Sequence, residues 1–359
     1  MSISKFLVNV WIFLFVCAMG TAAQNAPAPV EGDYVAENFH FRSGEVLPSL
    51  RLHYTTFGTP KRDASGKVTN AVMILHGTTG SGRQFVSPQF AGELFGPAQL
   101  LDATHYYIIL PDGIGHGKSS KPSDGLHARF PHYDYDDMVA AQHQLLIDGL
   151  KVDHLRLIIG TSMGCMHSWV WGETYPGFMD AMMPLACLPV QIAGRNRMMR
   201  KMAMDAIRQD PAWENGEYKS PPPGFKTALD VLLVMGSSPL QMQKQYPTRD
   251  AADSYLDTFI RTRSASTDAN DFLYPFDASR NYDPSPNLEK VRVPVMAINS
   301  VDDFINPPEL GIMDVQIKRV PKGKYVLLPI TDQTRGHGTH TLPAIWKGYL
   351  QEILSASQP

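Results

Sequence analysis

Short apolar runs recur along the chain at 71–75, 106–110, 155–159, 181–185 and 295–299. They are nearly continuous rather than alternating. That pattern predicts strands buried on both faces, as in a parallel sheet. Between them the period changes. Over 136–149, Met138, Val139, Leu145, Leu146 and the following Leu150 gather on one face of a helix, and 163–174 and 342–354 also read as helical. Nearer the start, Phe39 and Phe41 alternate with polar residues, as do Leu50, Leu52 and Tyr54, with Ser43-Gly44-Glu45 between them. This predicts an antiparallel pair joined by a turn. Strands alternating with helices imply a mostly parallel sheet with helices on both faces. Between the runs at 181–185 and 295–299 the readable elements are helical. Helices are expected there near 195–204, 227–235 and 250–262, broken by the prolines of 220–224.

Composition narrows the partners. The chain has 359 residues, which suits one large α/β domain with an insertion, and its net charge is −3. There is no long charged block, so neither nucleic acid nor an anionic membrane is an expected partner. The first residues read as an address. Lys5 precedes an apolar stretch from Phe6 to Met19, and Gly20-Thr21-Ala22-Ala23 supplies small residues for cleavage. A signal peptide over 1–23 and a linker over 24–33 are expected, placing the mature chain in the periplasm or outside the cell. The apolar run is short for a membrane span, which needs about 20 residues, so no stable membrane association is expected after cleavage. Removal of the signal leaves Cys165 and Cys187. Export permits a disulfide, but the expectation is two unpaired buried cysteines.

The run at 155–159 meets Gly160-Thr161-Ser162-Met163-Gly164, a G-x-S-x-G pentapeptide followed by the 163–174 helix. Strand, tight turn and helix form a nucleophile elbow with Ser162 at its apex. Side chains at 160 and 164 would clash where strand and helix nearly touch, hence glycine. The run at 71–75 leads into His76-Gly77-Thr78-Thr79-Gly80, a loop of small residues suited to an oxyanion hole. The expected donors are the backbone N–H groups of Thr78 and Met163. His76 and His116 are expected to be structural. The glycine-rich turn at 111–119 does not match a P-loop.

These pieces, with FRSGEVLPSLRLHYTTFGTP (42–60), AIRQDPAWENGEY (206–218), DDFINPP (302–308) and RGHGTH (335–340), resemble the homoserine O-acetyltransferase-like family of α/β-hydrolase-fold proteins over roughly 35–354. The resemblance implies the α/β-hydrolase fold: a mostly parallel central sheet, helices on both faces and an inserted helical lid. The core would span 34–187 and 291–356, with the lid at 188–290. A Ser-Asp-His triad in chain order is implied, mapping to Ser162, Asp303 and His337. Asp302 and His340 are the fallbacks. The family also suggests a homodimer. No metal or organic cofactor is needed.

Two departures bear on the reaction. Where the homoserine enzymes carry an aspartate after the histidine, helping to hold the substrate amino group, this chain has Gly338. Cys165 also stands where that family usually has glycine. With export making acetyl-CoA an awkward donor, the leading expectation is an exported serine hydrolase of a carboxylic ester, less readily an amide or lactone. The alternatives are an O-acyltransferase of the homoserine O-acetyltransferase type and a non-catalytic binding protein on the same scaffold. Met198, Met199, Met202 and Met204 are expected to pack the lid on the core, with an acyl-pocket lining as the other reading. Arg195, Arg197 and Arg200 are expected on a solvated face.

Overall fold

The computed structural model describes residues 27–357; the expected signal peptide lies outside them. Eight strands form one sheet in the order β1-β2-β4-β3-β5-β6-β7-β8. They are β1 (Val30–His40), β2 (Val46–Phe57), β3 (Ala71–Leu75), β4 (Tyr107–Pro111), β5 (Leu157–Thr161), β6 (Met182–Leu185), β7 (Val295–Ser300) and β8 (Gly323–Leu328). β1 pairs with β2, and β2 with β4, antiparallel. The remaining neighbours are parallel.

The continuous apolar runs have a direct cause. In β3, Ala71, Met73 and Leu75 join the core on one face of the sheet, while Val72 and Ile74 join the core on the other. Both faces are covered, so neither side of the strand can be polar. β8 shows why the remaining strand is hard to read from sequence. It lies at the sheet edge and only Leu328 is buried. The linker expected over 24–33 ends sooner, because β1 begins at Val30, opposite Thr56 of the long second strand.

Between β6 and β7 lie the helices Gly194–Arg208, Pro223–Gly236, Pro239–Gln245, Arg249–Ser266 and Ala269–Ala278. They have a small core of their own, in which Met199, Ala203, Phe225, Leu229 and Phe272 are buried. Of the four clustered methionines, Met199 and Met204 pack in this core, whereas Met198 and Met202 are exposed. The arginine expectation is corrected at Arg200, which is buried and donates to Asn196 and Ser279.

Cys165 and Cys187 form a disulfide across a Cα–Cα distance of 5.9 Å, correcting the expectation of free thiols. The reason is sheet order. Thr161 of β5 is paired with Leu185 of β6, so the residues just beyond the two strand ends are neighbours. The bridge closes a loop with a sequence separation of 22. In the chain-entropy account that is worth about 3 kcal/mol. Cys165→Ala/Cys187→Ala is therefore expected to lower Tm by roughly 4–5 °C. Equal melting curves for the double variant and the oxidised protein would contradict this.

Candidate active site

β4 and β5 lie on opposite sides of β3, so the chain reverses its direction of winding between β3 and β5. The carboxyl ends of strands at such a reversal leave a crevice, the general ligand site of open α/β sheets. The loop after β3 and the turn after β5 both open there.

Ser162 sits at that turn with φ 55° and ψ −111°. A non-glycine residue held in this region is strained. The flanking glycines explain how it is held. A Cβ on Gly160 would come within 2.0 Å of the Gly164 carbonyl oxygen, and one on Gly164 within 2.2 Å of that of Leu75. The helix Met163–Thr174 starts immediately after the serine. The Ser162 N–H donates to Leu185 and the Gly164 N–H to His76, both at the backbone oxygen and both at 2.9 Å. The intervening N–H of Met163, at the first helical position, has no partner within its helix.

The structure brings the three expected triad residues together. Ser162 Oγ and His337 Nε2 are 2.8 Å apart, and His337 Nδ1 is 2.9 Å from Asp303 Oδ2. Asp303 is fully buried. Burial pushes its carboxyl up, but the His337 charge and hydrogen bonds from His337, Asn306 and the Ile305 N–H outweigh that, so its pKa is lowered. The fallback residues are placed elsewhere. Asp302 accepts from Ser238 and from the Gly336 N–H, which anchors the loop carrying His337. His340 packs its ring 5.2 Å from that of His337, and burial lowers its pKa to about 3.

The loop after β3, expected to carry an oxyanion donor, is held by two histidines that the sequence assigns only a structural part. His76 Nδ1 donates to the Gly77 carbonyl at 2.8 Å, and its Nε2 accepts from the Gly113 N–H at 2.9 Å. The Gly80 N–H also donates to the Gly77 oxygen. A trans peptide sends its carbonyl and N–H in opposite directions, so the Thr78 N–H faces away from these partners. Gly77 packs on Ser162, where an added Cβ would be 3.3 Å from the serine Cβ. His116 Nε2 lies 2.8 Å from the Thr78 carbonyl oxygen. Burial lowers the pKa of both His76 and His116 to about 4. His76→Leu is therefore expected to lower kcat by about 10²-fold, the scale of one oxyanion donor, with less change in KM. Unchanged kcat in a folded variant would show that the peptide is held without it.

Asn306 is a site residue with no signal of its own in the sequence. Its side chain donates to Asp303 Oδ2 and to the Ala186 carbonyl oxygen, both at 3.0 Å. It ties the acid's loop to the chain leaving β6.

Sheet order, strained serine and buried acid together define an α/β-hydrolase-fold protein. A family model described as alpha/beta hydrolase fold matches residues 70–329. The homoserine O-acetyltransferase of Geotalea uraniireducens is 30% identical over 358 residues, covering 88% of this chain and 95% of that one. The chain belongs to the homoserine O-acetyltransferase-like family of α/β-hydrolase-fold proteins. In fold it is similar to an acetylester hydrolase from Corynebacterium glutamicum, with a TM-score of 0.78, 19% identity, and 91% of this chain and 96% of that chain covered. A homoserine O-acetyltransferase from Bacillus anthracis superposes with a TM-score of 0.78 at 19% identity, over 91% of this chain and 97% of that one.

Proposed function

We propose that the protein is an O-acyltransferase that works through a covalent acyl-enzyme on Ser162. The observation that carries the chemistry is the hydrogen-bonded line from Ser162 through His337 to Asp303. In this reading His337 Nε2 takes the serine proton as Oγ bonds to the acyl carbon. It then gives that proton to the departing alcohol or thiol as the bond to the leaving group breaks. Asp303 holds the imidazole by Nδ1 and stabilises the imidazolium. The Thr78 and Met163 N–H groups receive the carbonyl oxygen as it becomes negative. A hydroxyl acceptor then reverses the sequence, losing its proton to His337 as it takes the acyl group. Kinship to named homoserine O-acetyltransferases over most of the chain supports transfer ahead of the hydrolysis that the sequence alone favours.

Hydrolysis is the second reading, and one observation favours it. The larger cavity at Ser162 is lined by Arg200, Arg263 and Arg335 but by no carboxylate, and Gly338 contributes none. An amine-bearing acceptor such as homoserine has no anionic partner there. The disulfide also suits an oxidising compartment, which supports export.

The test is partition of one acyl group. The protein is given p-nitrophenyl acetate with and without homoserine or glycerol, and separately acetyl-CoA with each alcohol. Transfer requires O-acetyl product that grows with acceptor concentration at the expense of free acetate. Free acetate alone, whatever the acceptor, would replace transfer by hydrolysis.

A further inference from the structure

Ser162 and His337 stand at the junction of two cavities of different chemistry. One, of about 410 Å³, lies between the chain leaving β6 and the loop after β7, and its walls include Met166, Leu188, Val190, Ile192, Leu310 and Ile312. The other, of about 710 Å³, opens over the Gly77-Thr78 loop and carries the three arginines named above. An acetyl group does not need the first cavity. At about 30 Å³ per water-sized group, 410 Å³ holds on the order of ten methylene-sized groups.

The charged groups bordering this cavity are otherwise engaged or remote from its floor. Arg195 donates to the Phe304 carbonyl and lies 3.8 Å over the Phe304 ring, Arg200 is held by Asn196 and Ser279, and Glu309 is exposed at the rim. Leu310 at the mouth is 53% exposed. The walls are pinned rather than loose. The Cys165–Cys187 bridge fixes one side, and Asn306, bonded to both Asp303 and Ala186, ties it to the other. A fixed, largely apolar cavity that opens at Ser162 and His337 has the chemistry to take an alkyl chain.

We propose that the cavity bounded by Leu188, Ile192 and Ile312 binds the acyl chain, and that the protein selects medium-chain acyl groups, of about six to eight carbons, over acetyl. The inference rests on the acyl-enzyme reading but not on whether water or an alcohol resolves it. The acyl carbonyl lies at the Thr78 and Met163 N–H groups, its alkyl chain enters the apolar cavity, and the leaving alcohol departs through the arginine-lined one. Burial of each added methylene is then worth about two- to fourfold in kcat/KM, up to the length of the cavity.

The experiment is p-nitrophenol release from acetyl, butyryl, hexanoyl, octanoyl and dodecanoyl esters. Release reports acylation whatever the acceptor. kcat/KM is expected to rise at least tenfold from acetyl to hexanoyl or octanoyl and to fall at dodecanoyl. Ile192→Trp is expected to lower the octanoyl-to-acetyl ratio at least tenfold. Leu188→Phe, a smaller intrusion, is the second variant and is expected to lower it severalfold. Acetyl as the preferred ester overturns the inference while leaving the acyl-enzyme standing. So does a ratio unmoved in both folded variants, which would place the chain in the other cavity. No release from any ester overturns the acyl-enzyme reading itself.

Discussion

Ser162→Ala is expected to lower turnover of any ester by at least about 10⁴-fold, the scale seen when a triad serine is removed. The residual rate would come from binding and the oxyanion donors alone. The physical reason is narrow. The substitution deletes the oxygen that stands 2.8 Å from His337 Nε2 and nothing else. The residue is only partly buried, and its backbone carries φ 55° in either case. Folding should survive, with Tm within about 2 °C of the parent, since exposed or half-buried substitutions typically change stability by under about 0.5 kcal/mol. A fluorophosphonate probe should label the parent and not the variant. Retained turnover would move the nucleophile elsewhere and remove the acyl-enzyme from the mechanism.

Asp303→Asn should cost about 10⁴-fold in kcat while leaving the site's shape nearly intact. Asp303 Oδ1 accepts from the N–H groups of Ile305 and Asn306, so the asparagine carbonyl oxygen would remain there. Its NH₂ would then replace Oδ2, which now faces two donors, His337 Nδ1 and Asn306 Nδ2. His337 relieves the conflict by moving its proton to Nε2. That tautomer donates to Ser162 and cannot take the serine proton. Asp302→Asn, by contrast, loosens the loop at Gly336 and the contacts with Ser238 and Ser300, away from the His337 ring, and should cost far less. Equal losses for the two would reverse the assignment of the acid. Stability responds as well. The Asp303 carboxyl is lowered in the folded protein. Its contribution is therefore present above the unfolded value near about 3.9 and is lost as pH falls through the folded one. Asp303→Asn should remove that part of the acid sensitivity of Tm.

The two histidines under the oxyanion loop and the asparagine beside the acid share a feature. Each bonds backbone rather than substrate: His76 to Gly77, His116 to Thr78, Asn306 to Ala186. The site is thus preorganised by side chains whose own chemistry is idle. Burial keeps His76 neutral at physiological pH, so its bonds to Gly77 and Gly113 hold across the working range, whereas a neutral His116 can donate to only one of the two carbonyl oxygens beside it, those of Ile114 and Thr78.

Local pattern in the sequence was enough to reveal the sheet's central strands, the elbow around Ser162 and several helices of the insertion, whose place as a lid the family resemblance implied. A strand buried on both faces or a glycine beneath a strained turn leaves its mark on residues adjacent in the chain. The family resemblance extended this to Asp303 and His337 but kept Asp302 and His340 in play. Only the tertiary structure separated them, because the contacts that decide join residues 175 and 34 positions apart. The same holds for the disulfide, which depends on β5 and β6 ending side by side. It holds too for the apolar cavity, whose walls come chiefly from two segments more than a hundred residues apart, 186–200 and 305–312. Hydrophobic period records whether a residue is buried. Which distant segment buries it follows from strand order, and no stretch of chain carries that by itself.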